Sequence, residues 1–197
     1  MLTVIVSAAA TRLTTLAALK ADLAIADTGM DSYLETLIEQ HTGSIAAFLG
    51  RSLPRESLRQ DERATGDDVI VLERRHVVSV SSVSVDGEAL AVGDWELDGR
   101  LLYRLCHERR ARWCGRVSVD YQAGWLLPGE VGRDLPADIE RACIELCARS
   151  FHARGRDPAL RSYEAVDIER YSLSAADSVA TRDGLPLDVA ERLAPYR

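Results

Sequence analysis

The sequence predicts an α+β protein: a small helical bundle with an inserted antiparallel β unit and an extended C-terminal arm that ends in a short helix. Three observations carry this expectation. Apolar residues recur at steps of three and four near both ends of the chain, but at steps of two between about residues 70 and 125. Glycine and proline cluster where the period changes. With 197 residues, 47% of them hydrophobic, the chain is long enough to bury a core without disulfide or metal staples.

The elements follow in order. Thr14 or Thr15 can cap a first short helix on which Leu16, Leu19 and Leu23 share a face, and Asp27-Thr28-Gly29 breaks it. Ser32 and Glu35 have the spacing of a capping box. The stripe Leu34, Leu37, Ile38, Ile45, Phe48 and Leu49 then predicts a second helix, with Gly50 placed as its C-cap. Residues 51–68 are polar and aperiodic and read as a loop. Val69–Leu72 reads as a strand, and Val77–Val85 alternates valine with serine as a half-buried strand does. Asp86-Gly87 and Asp98-Gly99 are hairpin-turn dipeptides, and Trp95–Leu97, Leu101–Leu105 and Val117–Tyr121 are further strands. Pro128, Gly129 and Gly132 mark an exit loop. Pro136 opens a long helix with the stripe Ile139, Ala142, Cys143, Leu146, Cys147 and Ser150, which Gly155 stops. The chain is then polar and serine-rich to about Ser178, and Pro186 to Leu193 makes a terminal helix. The expected divisions are 1–68 for the first helices and polar loop, 69–127 for the β unit, 128–155 for the long helix and 156–197 for the arm. Residues 1–155 are expected to fold without the arm.

Charge narrows the function classes. The chain holds 24 basic and 31 acidic residues, a formal net charge of −7, which argues against general coating of nucleic acid. Only residues 100–116 are basic: Arg100, Arg104, Arg109, Arg110, Arg112 and Arg116 against the single acid Glu108. These six arginines are the candidate contact for a partner or a phosphate. Lys20 is the one lysine, and it follows Leu16-Ala17-Ala18-Leu19, not the glycine-rich turn of a Walker A loop. No apolar run approaches the ~18–20 residues of a membrane span. No basic n-region and apolar h-region open the sequence, so no secretory signal is expected.

No constellation for catalysis emerges. The four cysteines form no Cys-x-x-Cys pair: Cys143 and Cys147 lie on the apolar stripe of one helix, and Cys106 and Cys114 flank a hairpin tip. Packed, inert thiols fit that pattern better than a metal site. His107-Glu108 starts like a zincin motif, yet Ala111 stands where the second histidine belongs. His41 falls on the apolar side of its helix, and His76 and His152 have no nucleophile or carboxylate frame. Gly129-Glu130-Val131-Gly132 has the spacing of a KH-domain loop but carries an acid where a phosphate clamp is basic. Asp61-Glu62 and Asp67-Asp68 sit in a polar segment, where adjacent acids are solvated. The expectation is a protein without cofactor, metal or enzymatic activity.

Several segments together resemble a known family. They are Thr15-Leu16-Ala17-Ala18-Leu19-Lys20-Ala21-Asp22-Leu23, then Tyr33 to Leu49 closing in Gly50-Arg51-Ser52-Leu53, the β unit, Leu135-Pro136-Ala137-Asp138-Ile139, and Gly184-Leu185-Pro186-Leu187 through Leu193-Ala194-Pro195-Tyr196-Arg197. Along nearly its whole length the chain resembles the head–tail connector, or adaptor, proteins of long-tailed phages and phage-derived gene transfer agents. It departs from them at Ala24, where members commonly carry a basic residue.

The resemblance implies a structural role at the head–tail interface of a particle assembled in the bacterial cytoplasm. Such adaptors form a ring, commonly of twelve, with portal protein on one side and a stopper or tail-completion protein on the other. DNA passes through the channel without sequence-specific binding, and no membrane is involved. An acidic lumen suits that passage, because like charge keeps DNA from sticking. The candidate portal-docking residues are Tyr171, Leu173, Leu185, Leu187, Leu193 and Tyr196. Two other classes stay open at this point: a nucleic-acid-binding accessory protein using the basic hairpin 100–116, and an enzyme whose site is assembled from scattered residues.

Overall fold

Leu2-Thr3-Val4-Ile5-Val6 is a run of β-formers with neither charge nor proline, and it forms strand β1 (Leu2–Val6) at the edge of a sheet. Its partner is β2 (Glu56–Asp67), antiparallel, with Leu2 opposite Gln60 and Val4 opposite Leu58. The computed structural model describes residues 1–107, 109–154, 162–164, 170–172 and 181–197. The fold is mixed α+β, in two units: a β unit of Met1–Thr11 with Ser52–Asp134, and a helical unit of Arg12–Arg51 with Leu135–Arg197.

In the β unit, the remaining strands are β3 (Ile70–Val71), β4 (Val77–Val85), β5 (Glu88–Ala89), β6 (Trp95–Asp98), β7 (Leu101–Cys106), β8 (Arg109–Ala111) and β9 (Trp113–Ala123). One sheet has the order β1-β2-β9-β4-β5. In the other, β7 pairs with β3, β6 and β8. Every ladder in both sheets is antiparallel. Leu58, Val83, Leu102, Trp113, Val117, Val119 and Tyr121 are buried between them, with Trp95 and Leu97 packed alongside.

The reading of 51–68 as a loop is corrected here, because most of it is the longest strand of the described residues. Only Leu58 and Ala64 of β2 are buried apolar residues. Gln60 takes a third core position, and its amide donates to the Val71 carbonyl (3.0 Å) while its side-chain oxygen accepts from the Glu73 N–H (2.9 Å). A buried polar side chain with partners on both ends replaces the apolar alternation that marks a strand.

Asp86 (φ 51°) and Gly87 (φ 89°) make the β4–β5 turn with positive φ at both central positions, as a type I′ hairpin requires. The second hairpin turn is shifted by one residue. Asp98 pairs with Leu101, so Gly99 and Arg100 are its central residues, and Gly99 supplies the positive φ.

In the helical unit, Thr15 caps α1 (Leu16–Asp22), its hydroxyl accepting from the Ala18 N–H at 3.1 Å. Helix α2 (Asp31–Leu49) buries the six predicted apolar residues and stops at Gly50, which adopts φ 66°. Its start differs from expectation. Met30 is the N-cap and makes no side-chain capping bond, so Ser32 lies inside the helix and forms no capping box. Asp31 instead brings a carboxylate to the first turn, where it holds the Lys20 ammonium at 2.6 Å.

Helix α3 (Ala137–Ala153) follows Pro136 and buries Ile139, Ala142, Cys143, Ile144, Leu146 and Cys147. Gly155, expected to stop it, lies outside the described residues. The arm contributes a short ladder of β10 (Ser162–Glu164) with β11 (Arg170–Ser172), then β12 (Thr181–Arg182) with β13 (Leu185–Pro186). Helix α4 (Leu187–Leu193) follows Pro186 and buries Val189, Ala190 and Leu193. None of the described helices is long and apolar enough to cross a membrane.

Candidate interaction surface of the β unit

The six arginines of 100–116 are contiguous in sequence, but the strands distribute them. Arg100 sits in the β6–β7 turn and Arg104 on β7, opposite both Trp95 and Ala111. Arg109 and Arg110 lie on β8, opposite Cys106 and Leu105, so their side chains take alternate faces of that hairpin. Arg110 stacks on the Tyr103 ring, its guanidinium carbon 3.7 Å from the centroid. Arg112 pairs with Asp68 at 3.2 Å, both side chains well exposed. Arg116 belongs to β9 and thus to the other sheet. The stretch therefore holds no single basic patch: Arg104 and Arg109 share one face of the β7–β8 hairpin and Arg110 takes the other.

Of the candidate docking residues, Leu185 and Leu193 are buried in the helical unit, at 3% and 0% exposure. This corrects their assignment to a docking face, because they close the core on which α4 sits. Leu187 is exposed, and the Tyr196 hydroxyl donates to Asp138 at 3.1 Å. Tyr171 is on β11, opposite Tyr163, and Leu173 lies outside the described residues. The rest of the arm between 155 and 180 falls there too, as does Glu108.

A surface that sequence reading passed over is the outer face of the five-stranded sheet. On β2 and β9 every second residue turns away from the core, and those residues are polar: Arg59, Asp61 and Arg63 face Asp120, Ser118 and Arg116 across the strands. Arg59 forms a bidentate pair with Asp120, both contacts at 2.7 Å, and Ser82 of β4 donates to the same carboxylate at 3.1 Å. The Arg59 guanidinium foremost, helped by the Ser82 hydroxyl, holds the Asp120 carboxyl below its ordinary value.

The Ser118 hydroxyl donates to Asp61. Asp86 reaches across from the β4–β5 turn and accepts from the Arg116 N–H at 2.7 Å. Gly115 is required there, because a Cβ would overlap the Asp86 carboxylate. Two open hollows of about 410 and 340 Å³ cross this face, and both are lined by Asp61 and Arg116. The signal that would have found the surface is the period-two polar run of β2, hidden by Gln60.

His41 and Cys143 have their partners within the helical unit. His41 Nε2 is 2.8 Å from the Ser150 hydroxyl oxygen, and burial lowers its pKa from 6.5. Cys143 is pushed up by its hydrogen bond with the Cys147 thiol and by burial, as expected of a packed thiol. Cys106 and Cys114 are exposed free thiols. Among the described residues, no three or more His, Cys, Asp and Glu side chains converge as metal ligands would.

No protein-family model matches the chain, and neither does any curated protein. Solved structures do. A chain in the neck of an empty gene transfer agent particle, computed with C6 symmetry, superposes with a TM-score of 0.56 at 21% identity, over 81% of this chain and 88% of that one. A chain in the virion of a native gene transfer agent particle gives 0.56 at 20% identity over the same shares. The fold is shared with a neck chain. At this identity the likeness speaks for architecture, and it spans both the β unit and the helical unit.

Proposed function

We propose that this protein is a head–tail connector of a phage or gene transfer agent particle. It forms a ring between portal and stopper or tail-completion proteins and leaves a channel through which DNA passes. The observation that carries the reading is a fold shared over most of both chains with a protein from the neck of a gene transfer agent particle. The sequence resemblance points to the same class through separate segments at both ends of the chain.

The physical properties fit a passive conduit. A net charge of −7 disfavours retention of a polyanion. The two sheets present several distinct surfaces, which a closed ring needs, since each subunit offers neighbours two different faces. The twelve-fold copy number and the roles of Arg104, Arg109, Arg110 and Leu187 at neighbours belong to this proposal. Removing the protein from the producing cell is the test. Heads and tails are expected to form and stay unjoined, and tailed particles made in its absence would overturn the reading.

A further inference from the structure

Arg63 and Arg116 stand directly opposite each other on β2 and β9, side by side on the outer face of the five-stranded sheet. Both are exposed. Two like charges across a ladder destabilise it, with Cβ atoms only ~5 Å apart. Asp120 is taken by Arg59, and although Asp61, Glu62 and Asp86 line the same hollow, none of them forms an ion pair with either guanidinium. Among the described residues neither guanidinium has an ion-pair partner. The sheet face therefore offers two adjacent cations without an ion pair, at an open hollow of about 410 Å³ that they share with Asp61, Glu62 and Asp86.

The same chain carries the complement. Residues 77–99 hold five acids, Asp86, Glu88, Asp94, Glu96 and Asp98, and no basic residue. Asp86 and Asp94 are spent on backbone caps. Glu96 and Asp98 lie on β6, which pairs with β7 and has an open outer edge among the described residues. Being two apart, they project from one side of the strand about 7 Å from each other, and both are exposed. Tyr103 stands opposite Glu96, and the arginine nearby, Arg110, is stacked on that ring instead of paired with the acid.

We propose that Arg63 and Arg116 on the sheet face of one copy dock Glu96 and Asp98 on the β6 edge of a second copy. The charges are opposite in sign and equal in number. The two surfaces are different, so the contact runs head to tail, the kind that closes into a ring. The inference rests on the ring reading and names the surfaces that would build it. A nucleic acid is the poorer occupant, because a row of phosphates crossing the face would meet Asp61, Asp86 and Asp120 as well as the arginines.

Charge exchange tests it on the full-length protein by sedimentation velocity at low salt and high concentration. Arg63→Glu with Arg116→Glu makes both surfaces acidic, and Glu96→Arg with Asp98→Arg makes both basic. Each pair alone is expected to weaken self-association about tenfold or more relative to the wild type. Mixing the two variants, or combining all four changes in one chain, restores complementarity and is expected to recover it, with circular dichroism unchanged throughout. A wild type that stays monomeric, variants that associate like the wild type, or a mixture that recovers nothing would each overturn the contact. So would variants whose only loss is retention of duplex DNA. Particles that incorporate both paired variants in normal rings would defeat this contact and leave the ring reading standing.

Discussion

Gly124 follows the long β9 strand at φ 102°, and its N–H donates to the His76 carbonyl at 3.0 Å. A Cβ there would collide with the Pro54 carbonyl, on the segment that bridges to Trp125. Gly124→Ala combines a left-handed backbone with a backbone clash, so a loss of about 3 kcal/mol is expected. Gly99→Ala, which has open space around its Cβ at φ 61°, is expected to cost about 1 kcal/mol. Urea denaturation compares the two, and equal losses would contradict the clash.

His41 gives a residue-level pH dependence. Burial lowers its folded pKa below 6.5, so the unfolded chain binds the extra proton first as the pH falls. Its contribution is present in full above about pH 6.5 and is lost on acidification below that value. The His41→Gln variant should show a flatter stability profile between pH 7 and 5. The acidic losses from Asp120 and Asp188, held low by Arg59 and Arg149, belong to lower pH, from their ordinary 3.8 downward. At this scale local chemistry was legible where one residue acts alone. Thr15 and Gly50 cap as their types predict, whereas Ser32 does not, because the helix begins one residue before it.

Among the elements, β2 shows why a strand can be invisible to periodicity. Its sequence Glu-Ser-Leu-Arg-Gln-Asp-Glu-Arg-Ala-Thr-Gly-Asp offers two buried apolar positions in 12 residues. Gln60 completes the inward face only because Val71, Glu73 and Tyr121 surround it in three dimensions. Gln60→Leu would leave the Glu73 N–H and the Val71 carbonyl without their side-chain partner, and a loss of about 2–3 kcal/mol is expected. A variant as stable as the wild type would refute that role.

The valine–serine strand and the two longer helices were readable because their buried faces carry their own apolar pattern. The sequence leads one to expect an arm separable from a 1–155 core, and the burial of α4 argues against that expectation. Leu185, Val189, Ala190 and Leu193 are buried in the helical unit, so cutting at 157 removes part of a core. A seven-residue helix has too few positions to declare by pattern alone whether its apolar face looks inward or out.

Across the whole molecule, sequence order and spatial order part company. The β unit borrows its edge strand from the first residues of the chain, and the helical unit gathers α1 and α2 from one side of it and α3 and α4 from the other. Long-range pairing of this kind leaves no local mark, which is why the arginines of 100–116 looked like one patch and are not. Arg63, 53 residues from Arg116 in sequence, is its cross-strand neighbour. The mixed α+β class was nevertheless legible in the sequence, and a neck chain of a gene transfer agent particle shares the fold. Electron microscopy of purified particles carrying an epitope on this protein tests the connector reading most directly. A closed ring of the labelled chain between portal and tail, most simply of twelve copies, is the predicted image. Particles without the chain at the neck, with the protein recovered only as a free monomer or two-fold dimer, would contradict it.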